Sequence, residues 1–288
     1  MKASIDRLYK DVDRLTSISP ARSYQHLSSL EKVCIYIEDE LQKAGAKTER
    51  QTWRAEGAEY VNVLCSYNVE KTSRLIVGAH YDVCGDQAGA DDNASGVAGL
   101  LETARLIFDQ KPILDYRIDF VFYSLEEPPF FGTSSMGSYV HAKALHDNNC
   151  SVIGMISYEM IGFFSDAPNS QPFPSPRLAK LYPSTANFII VVGIEQCAAF
   201  NEKLYKAMAN GSTIDVQLIH FPSAETLAGL SDQRNYWKFG YPALMINDTA
   251  FIRNPNYHTK ADTIDTLDFE KMAAVVNSAY NAVISMSG

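Results

Sequence analysis

SRLIVGAH (73–80), followed after a short interval by NASGVAGLLETARLIF (93–108), decides the architecture. The first stretch is a nearly continuous apolar run, the pattern of a central strand covered on both faces. The second carries apolar residues at helical spacing. The same alternation recurs along the chain. YVNVLCSY (60–67) alternates as a half-buried strand does, and RIDFVFYS (117–124), SVIGMISY (151–158), NFIIVVG (187–193) and YPALMIND (241–248) are further strand candidates. Helical patterns fill 24–44, stopping at Gly45, and lie near 133–146, 195–210, 231–239 and 268–286. Alternating strands and helices predict an α/β fold: one domain over 1–288, with a mostly parallel, mixed central sheet and helices on both faces. One segment breaks the rhythm. The Pro- and Ser-rich residues from Phe163 to about Asn187 show no period, and 163–187 is expected to be a loop covering the site.

The chain has 288 residues, of which 46% are hydrophobic and 20% charged, an ordinary globular composition. The net charge of −9, without a basic stripe, argues against a nucleic-acid partner. No stretch approaches the roughly 18 apolar residues of a membrane span. MKASIDRLYKDVDRL at the start lacks the apolar run of a signal peptide, so a cytoplasmic location is expected, or a secreted or periplasmic one if a leader has been removed. A monomer is expected. The five scattered cysteines, with no C-x-x-C, read as reduced thiols. Cys84 stands four residues past His80, but oxygen and nitrogen ligands suffice without it, so it is not assigned to the site.

Chemistry concentrates in GAHYD (78–82), GADDNASG (89–96), SLEEPPFFG (124–132), SYEM (157–160) and YHTKADT (257–263). Three of these follow strand candidates, so they deliver imidazole and carboxylate to one edge of the sheet, where open α/β sheets bind ligands. His80 and Asp82 lie on one side of an extended segment, which suits a metal-bound imidazole and an acid that takes its second ring N–H. Of the adjacent acids Asp91 and Asp92, one would bridge two metals; Asp92 is preferred, and Asp91 is the alternative or a helix cap. Glu126 and Glu127 diverge, so one suits a ligand and the other a base. Glu159 is an acid in an apolar run and needs a partner or a metal. His258 completes a set sufficient for two divalent ions, most simply zinc, with one carboxylate left to handle protons.

At these residues the chain resembles the co-catalytic dizinc exopeptidases, the metallopeptidase family of bacterial leucyl aminopeptidases, aminopeptidase S and aminopeptidase Y. The resemblance covers about residues 60–270 and rests on H-x-D, G-A-D-D-x-A-S-G, E-E, an acid after a strand, and Y-H-T-x-x-D-T in order. It implies a zinc-exopeptidase (phosphorylase/hydrolase-like) architecture and a peptide substrate. By motif it makes Asp92 the bridging ligand, gives one zinc to His80 and Glu159 and the other to Glu127 and His258, and makes Glu126 the general base. It implies that Tyr257 donates to the developing oxyanion. Relatives often carry His where this chain has Gln233. The implied reaction is hydrolysis of the N-terminal peptide bond. Carboxypeptidases, with Arg253 or Arg234 receiving a terminal carboxylate, glutaminyl cyclases and non-catalytic relatives are the alternatives on the same architecture.

Overall fold

Four parallel strands form the middle of the sheet, and the chain enters it at one edge through an antiparallel pair. The computed structural model describes residues 2–286. In chain order its helices are α1 (Ile5–Thr16), α2 (Leu27–Lys43), α3 (Gly96–Gln110), α4 (Gly137–Asp147), α5 (Pro176–Ala179), α6 (Ala198–Ala209), α7 (Gln233–Trp237) and α8 (Phe269–Val283). Its strands are β1 (Thr48–Ala55), β2 (Ala58–Tyr67), β3 (Arg74–His80), β4 (Arg117–Tyr123), β5 (Val152–Glu159), β6 (Phe188–Ile194), β7 (Asp215–Phe221) and β8 (Ala243–Asn247). The sheet order is β1-β2-β4-β3-β5-β8-β6-β7. Strands β4, β3, β5 and β8 run parallel, β2 and β6 flank them antiparallel, β1 pairs antiparallel with β2, and β7 runs parallel to β6.

The expected α/β architecture is therefore present, and every expected strand lies within two residues of its place. Four elements were not expected: α1, β1, α5 and β7. Helix α1 sits in the charged N-terminal stretch, yet Leu8, Val12 and Leu15 recur on one face and are fully buried. Asp11, on that same face, is held by Arg105 of α3 at 2.5 Å. Strand β1 is polar and lies at the sheet edge, where little apolar patterning is needed.

The connectivity places the site. From β3 the chain crosses through α3 to β4 on one side, then through α4 to β5 on the other. The order reverses at β3, and such switch points leave a crevice outside the carboxyl ends of the strands. His80 closes β3, Glu126 and Glu127 follow β4, and Glu159 closes β5. Asp92 enters from the turn before α3, one wide helical turn over Ala90–Ser95. Gly96 lets that turn press on β5, since a Cβ there would stand 2.6 Å from the Tyr158 carbonyl oxygen.

Arg22, in the link between α1 and α2, is fully buried beneath this crevice. It donates to the carbonyls of Leu15, Tyr81, Ala88 and Gly89, so it pins both ends of the loop from β3 to Asp91. Each buried acceptor left without a donor costs about 1–3 kcal/mol. Arg22→Met should therefore lower the unfolding free energy by about 3 kcal/mol or more, read from urea unfolding at unchanged m-value. A loss below about 1 kcal/mol would mean that water takes over the four carbonyls.

Candidate metal centre

Asp92 sits between the two imidazoles. Its Oδ1 lies 3.4 Å from His80 Nε2, and its Oδ2 lies 3.0 Å from His258 Nε2. Each imidazole faces a second carboxylate: Glu159 Oε2 is 3.2 Å from His80 Nε2, and Glu127 Oε2 is 3.3 Å from His258 Nε2. Glu126 Oε2 stands 3.9 Å from His80 Nε2. The five segments singled out in the sequence thus meet in one crevice. Asp91 and Asp92 point in different directions. The Asp91 carboxylate turns away and accepts from the Gly162 amide at 3.0 Å and Asn254 Nδ2 at 2.8 Å.

Three non-glycine residues at the site take left-handed backbone. Leu125 (φ 63°) precedes Glu126, Met160 (φ 50°) follows Glu159, and His258 itself has φ 55°. Such conformations cost of order 1–3 kcal/mol each and persist only where the surroundings enforce them. Here they turn the side chains at the ends of β4 and β5, and that of His258, into the crevice.

Supporting groups fix the rest. The Asp82 carboxylate lies beside the His80 ring and also carries the adjoining backbone. It accepts from the Glu126 and Glu127 amides, both at 3.2 Å, and so sets the turn that carries those acids. The nearest partner of His80 Nδ1 is the Asp82 backbone carbonyl at 3.2 Å, with the carboxylate at 3.6 Å. Asp262 accepts from the Asp91 and Asp92 amides at 2.9 and 3.0 Å. Asn93 Oδ1 accepts from the amides of Gly96 and Met160, locking the α3 turn to the end of β5. Ser231 Oγ donates to Glu159 Oε2 at 2.6 Å. Asp232 is fully buried behind this pair, and neither of its carboxylate oxygens has a hydrogen-bond partner. Sequence reasoning assigned no role to Arg22, Asn93, Ser231, Asp232 or Asp262. Asn93 and Asp262 alone among these carried a signal, their places in GADDNASG and YHTKADT.

One assignment changes. Arg253 is not free to receive a terminal carboxylate. Its guanidinium is buried, donates to Gln171 Oε1 and to the carbonyls of Phe163 and Phe188, and lies 4.7 Å over the Phe188 ring. It ties the 163–187 segment to the start of β6. Tyr257 stacks on His258, with ring centroids 3.8 Å apart, and also borders an apolar pocket beside Glu159. Segment 163–187 contributes Phe173, Leu178 and Tyr182 to that pocket, and β6 contributes Ile190 and Val192.

The donor set fits divalent cations. Glu126 Oε1, Glu127 Oε1 and His258 Nε2 are buried and have no hydrogen-bond partner. The acids crowd one another. Burial raises Glu127 to about 8, and Asp92 adds to the effect. Burial raises Glu126 well above the usual carboxylate range, with Glu127 and Glu159 contributing. Burial also lifts Asp232 to about 7 and, with Asp91, Asp262 to about 7. Burial disfavours a charged His258, but Asp92 and Glu127 outweigh it and push the ring up to about 10. A cation relieves all of these repulsions together. His80, Asp92 and Glu127 each offer a ligand atom within 4.8 Å of the others. Imidazole and carboxylate of this kind suit zinc, cobalt or manganese.

A mixed sheet with imidazoles and acids converging at the carboxyl ends of its central strands defines a metal-dependent α/β hydrolase. The chain belongs to peptidase family M28, whose model matches residues 62–283. It is 40% identical over 283 residues to the uncharacterized protein YfbL of Escherichia coli (strain K12), covering 96% of this chain and 86% of that one. It is 26% identical over 255 residues to leucine aminopeptidase 1 of Neurospora crassa, covering 82% of this chain and 56% of that longer protein. The fold matches a crystal structure of Bacteroides thetaiotaomicron glutaminyl cyclase with a TM-score of 0.72 at 20% identity, covering 99% of this chain and 98% of that one. Among the described residues no helix is long and apolar enough to cross a membrane.

The raised acids fix the sign of a pH effect in the metal-free protein. Between about pH 4 and about pH 8 the native state holds protons on Glu127, Asp232 and Asp262 that the unfolded chain releases, so stability falls as pH rises. His258, raised to about 10, acts with the same sign above its ordinary value. The thermal midpoint of chelator-treated protein should fall steadily from about pH 5 to about pH 9, and saturating zinc should flatten the fall. A chelator-treated midpoint that rises over this range would contradict the charge balance described here.

Proposed function

We propose that the protein is an aminopeptidase that uses two divalent ions, most simply zinc, to hydrolyse the N-terminal bond of peptides beginning with a large apolar residue. The observation that carries this reading is Asp92, with one carboxylate oxygen toward each of two imidazole–carboxylate pairs. His80 and Glu159 would hold one ion, Glu127 and His258 the other, with Asp92 shared. Ions held by these residues would supply polarisation of the peptide carbonyl and a more acidic water.

The chain's own groups do the rest. Glu126 lies beside the paired ligands with one oxygen unpartnered, so it can accept a proton from water and return it to the leaving amine. Its raised pKa suits both steps. The Tyr257 phenol is kept protonated by burial and by Asp92 and Glu127, so it remains a donor toward the oxyanion. Asp82 holds the backbone beneath Glu126 and Glu127. The pocket next to Glu159 and Tyr257 receives the first side chain, and its lining by Phe173, Leu178, Ile190, Val192 and Ile219 favours apolar residues. The engagement of Arg253 with Gln171 and backbone carbonyls weighs against carboxypeptidase action.

One peptide in free, N-acetylated and C-amidated forms tests the direction of attack. Mass spectrometry should show loss of the first residue from the free and amidated forms only. Cleavage blocked by amidation would point to a carboxypeptidase, and loss of ammonia from an N-terminal glutamine without cleavage would point to a cyclase. Glu126→Gln should keep its metal content and lose roughly 10²–10⁴ in kcat. Turnover within a few-fold of wild type would remove Glu126 from the proton-transfer role. N-terminal Leu should exceed Ala by roughly tenfold or more in kcat/KM; equal values would separate the apolar pocket from the first residue.

A further inference from the structure

Cys84, left out of the site on sequence grounds, lies beside it in the fold. Its Sγ, a Glu127 carboxylate oxygen and a His258 ring nitrogen are all within 4.8 Å of one another. Glu127 is only 4% exposed, and its Oε1 is buried without a hydrogen-bond partner. The thiol is free and partly accessible. The other cysteines are placed differently: Cys34 contacts the Tyr81 hydroxyl at 3.3 Å, and Cys65 is buried in the core. Around His80 and Glu159 the candidate ligands found among the described residues offer nitrogen and oxygen. The two halves of the centre are therefore chemically unequal, and the His258 half has sulfur within reach.

We propose that Cys84 is a ligand of the ion held by Glu127 and His258, giving that half of the centre a nitrogen, oxygen and sulfur donor set. The proposal rests on the metal-centre reading above. On binding, the Cys84 S–H bond gives up its proton to solvent and a sulfur–metal bond forms, with no change of oxidation state. The backbone permits it, since Gly85 takes φ 70° directly after Cys84 and turns the chain at this point. A thiolate makes this half prefer zinc, cadmium or cobalt over manganese and magnesium, so the two halves select metals differently. It also makes the Glu127–His258 half the one open to oxidative loss of a ligand.

Cobalt reads this directly. Metal-free protein is titrated with Co(II) under anaerobic conditions and followed by absorption. Wild type should show visible ligand-field bands and, at one of the two equivalents, a near-ultraviolet thiolate-to-cobalt charge-transfer band. Cys84→Ser and Cys84→Ala should both keep the visible bands and lose the charge-transfer band, and a Cys150→Ser control should keep both. One zinc equivalent should bind roughly 10–100-fold more weakly to the Cys84 variants, by competition with a chromophoric chelator. Far-ultraviolet circular dichroism of the variants guards against misfolding. Visible bands without a charge-transfer band in wild type would overturn the sulfur ligand and leave the metal centre standing. A charge-transfer band that survives in both Cys84 variants would also overturn it. No cobalt bands in any protein would overturn the metal-centre reading, and the sulfur ligand with it.

Discussion

The Asp92 carboxylate sets the terms for the rest of the molecule. A buried acid facing two imidazoles is tolerable only if each oxygen is compensated, and here each faces its own ring. Holding it there requires the turn over Ala90–Ser95 to leave helical geometry at Asp92 and Asn93, and requires Gly96 to lie against the Tyr158 carbonyl. It also requires the amides of Asp91 and Asp92 to be met by Asp262, far away in sequence. Asn93 then ties the same turn to β5. The start of α3, the end of β5 and the loop before α8 become one rigid unit around a single side chain.

Charge explains the next ring of contacts. Glu126, Glu127, Glu159, Asp82, Asp232 and Asp262 are all buried within or behind this crevice. Without a cation they repel one another, which is why burial and mutual proximity drive several of their pKa values upward. Arg22 is the permanent positive charge beneath them, and its pKa is lowered to about 10 by burial despite Asp262, Asp92, Asp82 and Glu127. Its hydrogen bonds go to carbonyls, so it shapes the loop while leaving the carboxylates free for ligands. A single guanidinium facing this many acids leaves negative charge over, and divalent ions are the natural complement.

Left-handed backbone at Leu125, Met160 and His258 belongs to the same economy. None of these is glycine, so local preference opposes all three conformations. They persist because β4 and β5 are fixed in the sheet and because Asp82 and Asn93 hold the adjoining amides. The apolar pocket beside the acids is assembled in the same indirect way. Arg253, which charge alone would assign to a carboxylate, instead clamps the irregular segment that supplies Phe173 and Tyr182.

By itself the sequence determined the α/β class and the residues that meet at the centre, and the reasons are local. Apolar runs such as SRLIVGAH and NFIIVVG must be covered on both faces, and the imidazoles and acids at their ends stand out because such residues are costly to bury. The polar edge strand β1 escaped that reading because an edge needs little apolar patterning, and helix α1 because the charged residues on its outer face masked the clear recurrence of Leu8, Val12 and Leu15. What only the tertiary structure decided was direction. Asp91 and Asp92 are neighbours of equal chemistry, and the fold sends one to Asn254 and the other to the imidazoles. Asp82 turned to two amides, Arg253 to backbone carbonyls and Cys84 to the His258 side of the centre. Each of these outcomes depends on partners tens to hundreds of residues away, and spacing along a chain carries no record of which way a side chain will point once those partners are packed beside it.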